Sequence, residues 1–385
     1  MYVLFVKKLR TALPSNLGKV CHITTAHPAM DTRIFYREAL TLAKAGFDVF
    51  LIGNYSKQET LNQVTIIPLK SYRNRFARMT LKPFRALYLA IKSGSRIYHF
   101  HDPELIPAGL LLKILGKKVI FDAHEDYPNL IKVKDWIPKK LRNVMSRLYA
   151  FLEYNSTKFF DLTIGPSDEA AKRLPKGMGL CNFPTDEMAY ALALNSRAFK
   201  ERKIDLIHVG VLRKERLDFF IRVLAKIRLL GIEPTIVFIG LSENQIRYIE
   251  DALGPYNHLK LFGKISFLQV AKFLSQAKIG LNYHIISSHL SYTFPVKVFE
   301  YLAAGCVVVS SAFPFLEQTM GIQNNPVFFV NGDSTEYANL LVSLLSNQDQ
   351  LESVAATSKS ISSYFRWETE GKKLVLAYQK LMDAK

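Results

Sequence analysis

Short apolar, β-branched runs recur along the chain, and amphipathic stretches separate them. VCHIT (20–24), DVFLI (48–52), IYHF (97–100), KVIF (118–121) and DLTIG (161–165) predict strands. Helical spacing follows over 33–45 and 103–115. The alternation then restarts with IDLIHVG (204–210), TIVFIG (235–240), LKLFG (259–263), IGLNY (279–283), CVVVSS (306–311) and VFFV (327–330). Strand–helix alternation builds parallel sheets with helices on both faces. Two such series predict an α/β protein of two doubly wound domains facing across a cleft, 1–190 and 200–362. The join falls in the polar stretch 181–203. A last helix, within 363–385, has no strand after it and is free to pack elsewhere. In such sheets ligands bind beyond the carboxyl ends of the strands, so the informative residues are those just after strands.

Composition changes the picture in one respect. At 385 residues, 49% hydrophobic and 22% charged, the chain is ordinary for a two-domain globular protein. The net charge of +18 is not ordinary, and it is uneven. Residues 1–190 carry 29 Lys and Arg against 16 Asp and Glu, whereas the remainder carries 22 against 17. The first half therefore faces an acidic partner, nucleic acid or an anionic membrane. Lys70–Arg96 holds eight basic residues, with Tyr72, Phe76, Phe84 and Tyr88 interleaved and no acid between Glu59 and Asp102. Lys132–Tyr149 sets Trp136 and Ile137 among lysines. Both suit a membrane surface, with a solvated face as the plainer alternative. No nucleic-acid recognition motif accompanies them. The opening run MYVLFVKKLR is too short for a signal sequence, and the apolar segment 105–115 is broken by Pro107 and Lys113. Cys21, Cys181 and Cys306 show no ligand spacing and read as buried thiols in a reducing compartment. The expectation is a cytoplasmic protein resting on the inner face of the cell membrane without crossing it.

The strand ends carry the candidate chemistry. TTAHPAMDTRIF lacks the G-x-G-x-x-G of dinucleotide enzymes and offers His27, Asp31 and Arg33, with Asp31 as a simple helix cap the alternative. HDPEL supplies His101, beside the core candidate His99 and the cap candidate Asp102. DAHEDYP supplies Asp122, His124 and Glu125, suited to acid–base work; their irregular spacing argues against a metal, and none is predicted. After IDLIHVG, Gly210 precedes Arg213, Lys214 and Arg216 at the head of a helix over 217–230. That pattern suits a diphosphate, or else is a solvated basic turn. TFPVKVFEYLAAGCVVVSS (293–311) reads as a helix started by Pro295 and ended by Gly305, then a buried strand. Within it Glu300 stands among Phe299, Tyr301 and Leu302, so it either reaches solvent or holds a ligand.

These residues resemble the retaining glycosyltransferases of family four (glycosyltransferase group 1), which have the GT-B fold, and the likeness runs from His22 to Tyr378. FPVKVFEYLAAGCVVVSS is similar to the family's L-E-A-M-A-x-G-x-P-V-I-x-S segment, in the subgroup with F-P-x-K-x-F-E-Y. The resemblance makes Glu300 the glutamate that binds the donor's ribose hydroxyls. The family's first glutamate is replaced by Tyr292, which passes its role to backbone around 291–294, including Thr293 and Phe294. HVGVLRKERLD is similar to the phosphate-binding turn, with Arg216 in the basic position, Val211 where an arginine is usual, and Arg213 a substitute. HFHDPEL makes His101 the histidine near the transferred sugar. HPAMDTRIF is similar to a D-x-R subgroup, and Gly263, Lys264 and Ile265 fall where backbone holds the base. YFRWETEGKKLVLAYQKL resembles the family's terminal helix, which crosses back to the first domain.

The resemblance implies two Rossmann-like domains and sugar transfer, with retention, from a nucleoside-diphosphate sugar. A UDP-sugar is the expected donor, with no cofactor and no metal. His101, Arg213, Arg216 and Glu300 are the expected catalytic residues. Asp31, Arg33, Asp122, His124 and Glu125 are expected on the acceptor side. The acceptor is a saccharide or a lipid-linked saccharide at an anionic membrane, in cell-surface polysaccharide synthesis, and no nucleic acid is involved. Two other readings stay open: a nucleotide-sugar epimerase of the same shape, and a catalytically weak partner or binding subunit, suggested by Tyr292 and Val211.

Overall fold

A computed structural model of the chain describes residues 17–70, 75–134, 136–286, 290, 292, 294–320 and 325–384. The run 1–10, residues 71–74, Thr293 and Ser291 lie outside them. The chain divides into two compact units, 1–182 with 369–385, and 183–368. Residues 183–194 belong with the second unit because Phe183 packs its ring against Phe294, Phe299 and Phe365. No helix among the described residues is long and apolar enough to cross a membrane.

The first unit is built on an eight-stranded sheet. Its strands are β1 (Lys19–Pro28), β2 (Asp48–Asn54), β3 (Glu59–Leu61), β4 (Val64–Leu69), β5 (Ile97–Phe100), β6 (Lys118–Asp122), β7 (Leu162–Gly165) and β8 (Gly177–Gly179). The order is β3-β4-β2-β1-β5-β6-β7-β8. All pairs are parallel except β3 with β4, which form a hairpin. Strand order reverses between β1 and β5, the position where doubly wound sheets open a crevice. There His22 of β1 is paired in register with His99 of β5.

The second unit has a six-stranded, all-parallel sheet of β9 (Ile204–Val209), β10 (Ile236–Ile239), β11 (Leu259–Phe262), β12 (Ala277–Asn282), β13 (Val307–Ser311) and β14 (Val327–Val330). Its order is β11-β10-β9-β12-β13-β14, so the reversal lies between β9 and β12. Helix Val296–Ala303 buries Val298, Phe299, Tyr301 and Leu302 against this sheet. The fit is close. A Cβ on Gly280 would lie 2.3 Å from the Tyr301 ring. The Tyr301 hydroxyl accepts from Val209 N–H (3.0 Å) and donates to Leu281 O (3.3 Å), which pins the helix across the β9–β12 reversal. Pro295 sits one residue before the helix, and Gly305, at φ 71°, ends it.

Three strands have no counterpart in the sequence reading. β3 and β4 turn through Asn62 and Gln63, both at positive φ, rather than through an Asn-Gly pair. β8 is Gly-Met-Gly, without a β-branched residue. The helix expected over 33–45 is also not one regular helix: it opens with a π-helical turn over Ile34–Ala39 and continues as an α-helix over Leu40–Lys44.

Candidate functional site

The first unit gathers a polar cluster at the carboxyl ends of β1, β5 and β6. Asp31 Oδ1 accepts from the backbone N–H of Arg33 (2.8 Å) and Ile34 (3.1 Å), so Asp31 starts the turn that follows β1. In the π-helical turn, Glu38 N–H bonds Arg33 O (3.0 Å), which brings side chains five apart onto one face. Arg33 and Glu38 therefore both point into the cluster. Arg33 forms a bidentate pair with Asp122, Nε–Oδ2 2.7 Å and Nη2–Oδ1 2.9 Å. Its Nη1 donates to Leu180 O (2.8 Å) and Asn182 Oδ1 (3.0 Å). Asp122 also meets His124 Nε2 at 2.9 Å and His101 Nδ1 at 3.3 Å. Burial works to raise the Asp122 carboxyl, but Arg33 and His124 outweigh it and hold it well below the usual carboxylate range.

Several expectations change here. His101 is fully buried, its Nδ1 also 3.0 Å from His124 Nε2 and its Nε2 3.1 Å from His22 Nδ1. The partly exposed histidines of the cluster are His124 and His27. Glu125 points to solvent and does not join Asp122 and His124. Asp102 stands at the N-cap of the turn Pro103–Leu105, but its side chain makes no capping hydrogen bond. It is buried and holds the last part of β1, accepting from Thr24 Oγ1 (2.8 Å), Thr25 N (2.6 Å) and Ala26 N (3.2 Å). Asp31 is partly exposed and caps its turn through Oδ1. His22 and Glu38 were not singled out, because neither sits in a recognisable string; only the β1–β5 pairing and the π-helical turn bring them in.

The second unit presents a cluster of cations at the β9–β12 reversal. Gly210, at φ 115°, ends β9, and a Cβ there would lie 2.5 Å from Lys297 Cε. Lys297 thus lies along the glycine turn. Arg216 Nη1 is 3.2 Å from His284 Nε2, and its Nη2 donates to Val211 O at 3.3 Å. Arg213 is exposed beside it. Burial and the nearby Arg216 push the Lys297 ammonium down to about 8, with Glu300 acting in the other direction. Burial and Arg213 likewise lower Arg216. Among the described residues no carboxylate forms an ion pair with Arg213, Arg216 or Lys297. Glu300 is half-buried, one turn beyond Lys297 on the outer face of helix Val296–Ala303. Lys297 is the residue that sequence reading overlooked. It stands in F-P-x-K-x-F-E-Y three residues before Glu300, the spacing that places both on one helix face.

Other expected donor residues are distributed as follows. Gly263 follows β11, Lys264 is exposed, and Ile265 is half-buried ahead of the helix capped by Ser266. Tyr292 is exposed. Phe294 is a packing residue, its ring against Phe183, Phe299 and Phe315. Thr293 lies outside the described residues.

The basic segments divide similarly. Lys82 is buried and donates to Thr25 O and Asn54 Oδ1, so it braces the ends of β1 and β2 instead of lying on the surface. Arg73 and the side chains of Arg75 and Arg78 lie outside the described residues. Ile137 is buried and Trp136 exposed. An apolar surface accompanies the lysines. Leu81, Phe84 and Tyr88 are exposed on helix Arg75–Lys92, Ile114 on Ile106–Ile114, and Val144, Leu148, Phe151 and Leu152 on Lys139–Thr157. The middle helix neighbours both others.

Comparison with known proteins agrees with this architecture. No curated protein matches the sequence. Among solved structures, the sucrose-phosphate synthase of Thermosynechococcus elongatus is 18% identical, with 96% of this chain and 100% of that one covered and a TM-score of 0.71. A glycosyltransferase from Rickettsia africae is 14% identical, covering 96% and 100%, TM-score 0.69. Anabaena HepE, solved with UDP and glucose, is 9% identical, covering 94% and 100%, TM-score 0.67. At such identities the likeness shows the fold, which is GT-B. Residues 32–185 match the family model described as Glycosyltransferase Family 4, and residues 193–360 match that described as Glycosyl transferases group 1. Two matched halves on a GT-B fold make this chain a GT4-like glycosyltransferase.

Proposed function

We propose that the chain moves a sugar, with retention, from a nucleoside-diphosphate sugar to a saccharide or lipid-linked saccharide at an anionic membrane face, in cell-surface polysaccharide synthesis. The observation that carries this is the cluster of three cations, Arg213, Arg216 and Lys297, around the Gly210 turn. They stand together without a carboxylate partner among the described residues. Like charges in one half-buried place repel, and a diphosphate relieves that repulsion. Glu300, on the same helix face as Lys297, takes the ribose hydroxyls of the donor. The UDP and glucose solved with HepE support a UDP-sugar.

The chemistry that follows is electrostatic. Charge grows on the leaving diphosphate as the glycosidic bond breaks, and the three cations stabilise it without a metal at the diphosphate. The leaving phosphate takes the acceptor proton on the same face. On the acceptor side, His124, oriented by Asp122, and His27 are the exposed groups able to bond a hydroxyl. The apolar surface of Phe84, Leu148 and Phe151, flanked by lysines, rests on the membrane; each Lys or Arg near an anionic surface adds about 1 kcal/mol.

Thermal stabilisation by UDP, GDP, ADP and CMP tests the reading. A nucleotide at a hundred times its dissociation constant adds about 2.7 kcal/mol. Stabilisation of the wild type by UDP, weakened in Glu300→Ala, is the expected result. If no nucleotide stabilises the wild type, the donor reading is lost and the weak-partner reading, favoured by Tyr292, replaces it.

A further inference from the structure

The polar cluster of the first unit contains a part that the proposed transfer does not use. His22, Glu38, His99 and His101 are all fully buried, and each offers one donor atom within 4.8 Å of the others. Glu38 Oε2 lies 3.8 Å from His22 Nδ1, 3.9 Å from His99 Nε2 and 3.9 Å from His101 Nε2. His22 Nδ1 and His101 Nε2 are 3.1 Å apart. A tetrahedral site with metal–nitrogen bonds of about 2.0–2.1 Å spaces its donors about 3.3–3.4 Å apart. The observed separations bracket that value.

Two independent features point the same way. The first is a deficit. Neither oxygen of Glu38 receives a hydrogen bond, and His99 Nε2 has no partner, although all are shut off from water. Arg33 Nε is 2.9 Å from Glu38 Oε1, but it bonds Asp122. That contact meets Glu38 Oε1 in part, but Oε2 and His99 Nε2 stay unmatched, and buried polar groups are rarely left so. The second is the outer ring of partners. The ring nitrogens that face away from Glu38 are all engaged. His99 Nδ1 is 2.8 Å from the Tyr378 hydroxyl, His22 Nε2 is 3.4 Å from that same hydroxyl, and His101 Nδ1 meets Asp122 and His124. Metal-ligating histidines are held in this way, one nitrogen on the metal and the other on a hydroxyl, carboxylate or carbonyl. The neighbouring set His101, Asp122 and His124 differs in that Arg33 hydrogen-bonds both Asp122 oxygens, whereas it only approaches one oxygen of Glu38.

We infer that His22, Glu38, His99 and His101 form a buried site for a divalent first-row transition metal ion, with Zn²⁺ the best match. Three imidazoles and one carboxylate are nitrogen and oxygen donors that Zn²⁺ accepts, and here they make a closed set of four with no open position for a substrate. The ion ties β1, β5, the π-helical turn and, through Tyr378, the final helix into one body. It also fixes the ring of His101 that orients Asp122 and His124. This inference does not depend on the identity of the donor sugar or on the cations of the second unit.

The test is the metal content of the full-length protein, purified without a histidine tag, by elemental analysis. About one zinc per chain is expected, removable by a strong chelator with a fall in melting temperature and restored by added Zn²⁺. Glu38→Gln and His99→Gln should lose the metal, whereas His258→Gln, at an exposed histidine of the other unit, should keep it. Tyr378→Phe should weaken zinc affinity about 10- to 100-fold. Where a ligand variant fails to fold, Co²⁺ substitution in the wild type gives the answer through the visible absorption of tetrahedral cobalt. The inference is overturned if the stripped wild type takes up neither Zn²⁺ nor Co²⁺, or if a folded Glu38→Gln retains a full equivalent.

Discussion

The two units place polar residues at the same topological position, and they treat charge in opposite ways. At the β1–β5 reversal, Arg33 is buried and matched to Asp122 by two parallel hydrogen bonds. At the β9–β12 reversal, Arg213, Arg216 and Lys297 stand near one another without a carboxylate within pairing distance among the described residues. The first arrangement is internally paired, so removing a member leaves a buried charge. The second has cations that Glu300 and Glu215 offset only at a distance, so removing a member should relieve the free protein and, on the proposed donor reading, weaken ligand binding. Position in the fold is the same in both units, and the pairing of charge is what differs.

The largest effect should fall on the paired side. Asp122→Ala removes the bidentate partner of the buried Arg33 guanidinium, leaving Glu38 as its one nearby carboxylate among the described residues, and should cost about 3–5 kcal/mol in denaturant unfolding, with Arg33→Met in the same chain recovering part of it. A small loss would mean that the pair is not the framework described. The carboxyl is held low, so its contribution is present above the ordinary aspartate range and lost as pH falls through the lower folded value. Next come Arg216→Ala and Lys297→Ala, which should lower kcat by about a hundred- to a thousandfold while leaving the melting temperature unchanged or raised. Equal activity in either variant would remove that cation from the diphosphate.

Gly210→Ala tests the cation cluster from the backbone side. A side chain at φ 115° costs about 1–3 kcal/mol, and its Cβ would displace Lys297, so nucleotide affinity should fall with stability. A smaller effect concerns pH. Lys297, lowered to about 8, is cationic below that value and loses its charge above it, so kcat/KM should decline past about pH 8. Lys297→Arg should abolish the inflection. Its effect on folding has the opposite sign: the unfolded chain holds the extra proton up to its ordinary value, so stability rises with pH across that window. The smallest change in stability is expected at the surface. Phe151→Glu should shift it by no more than about 0.5 kcal/mol yet reduce binding to anionic vesicles.

Much of this was readable from the chain. IYHF and VFFV mark their strands to the residue, because short β-branched and aromatic runs between breakers have few other outcomes. The basic turn after β9 was readable because Gly210, Arg213 and Arg216 are close in sequence. What escaped was assembled from afar. His22 and Glu38 join His101 across the β1–β5 pairing and a π-helical turn, and neither has a periodicity that a window of sequence displays. Lys82 read as a surface cation because composition does not say which side of a helix faces inward, and Asn54 and Thr25 O meet it only in the fold. Lys297 was in view but passed over beside the more conspicuous Glu300.

The Tyr378 hydroxyl reaches His99 and His22, and Glu370 accepts from Cys181 N–H at 2.9 Å, so the final helix supplies interior parts of the first unit. During synthesis, residues 183–368 leave the ribosome before those parts exist. The second unit can fold in that interval, while the first must wait with its histidine cluster incomplete until residue 378 emerges. The segment made first is therefore the one finished last, and a chain halted before residue 378 would present an intact second unit and an unfinished first one.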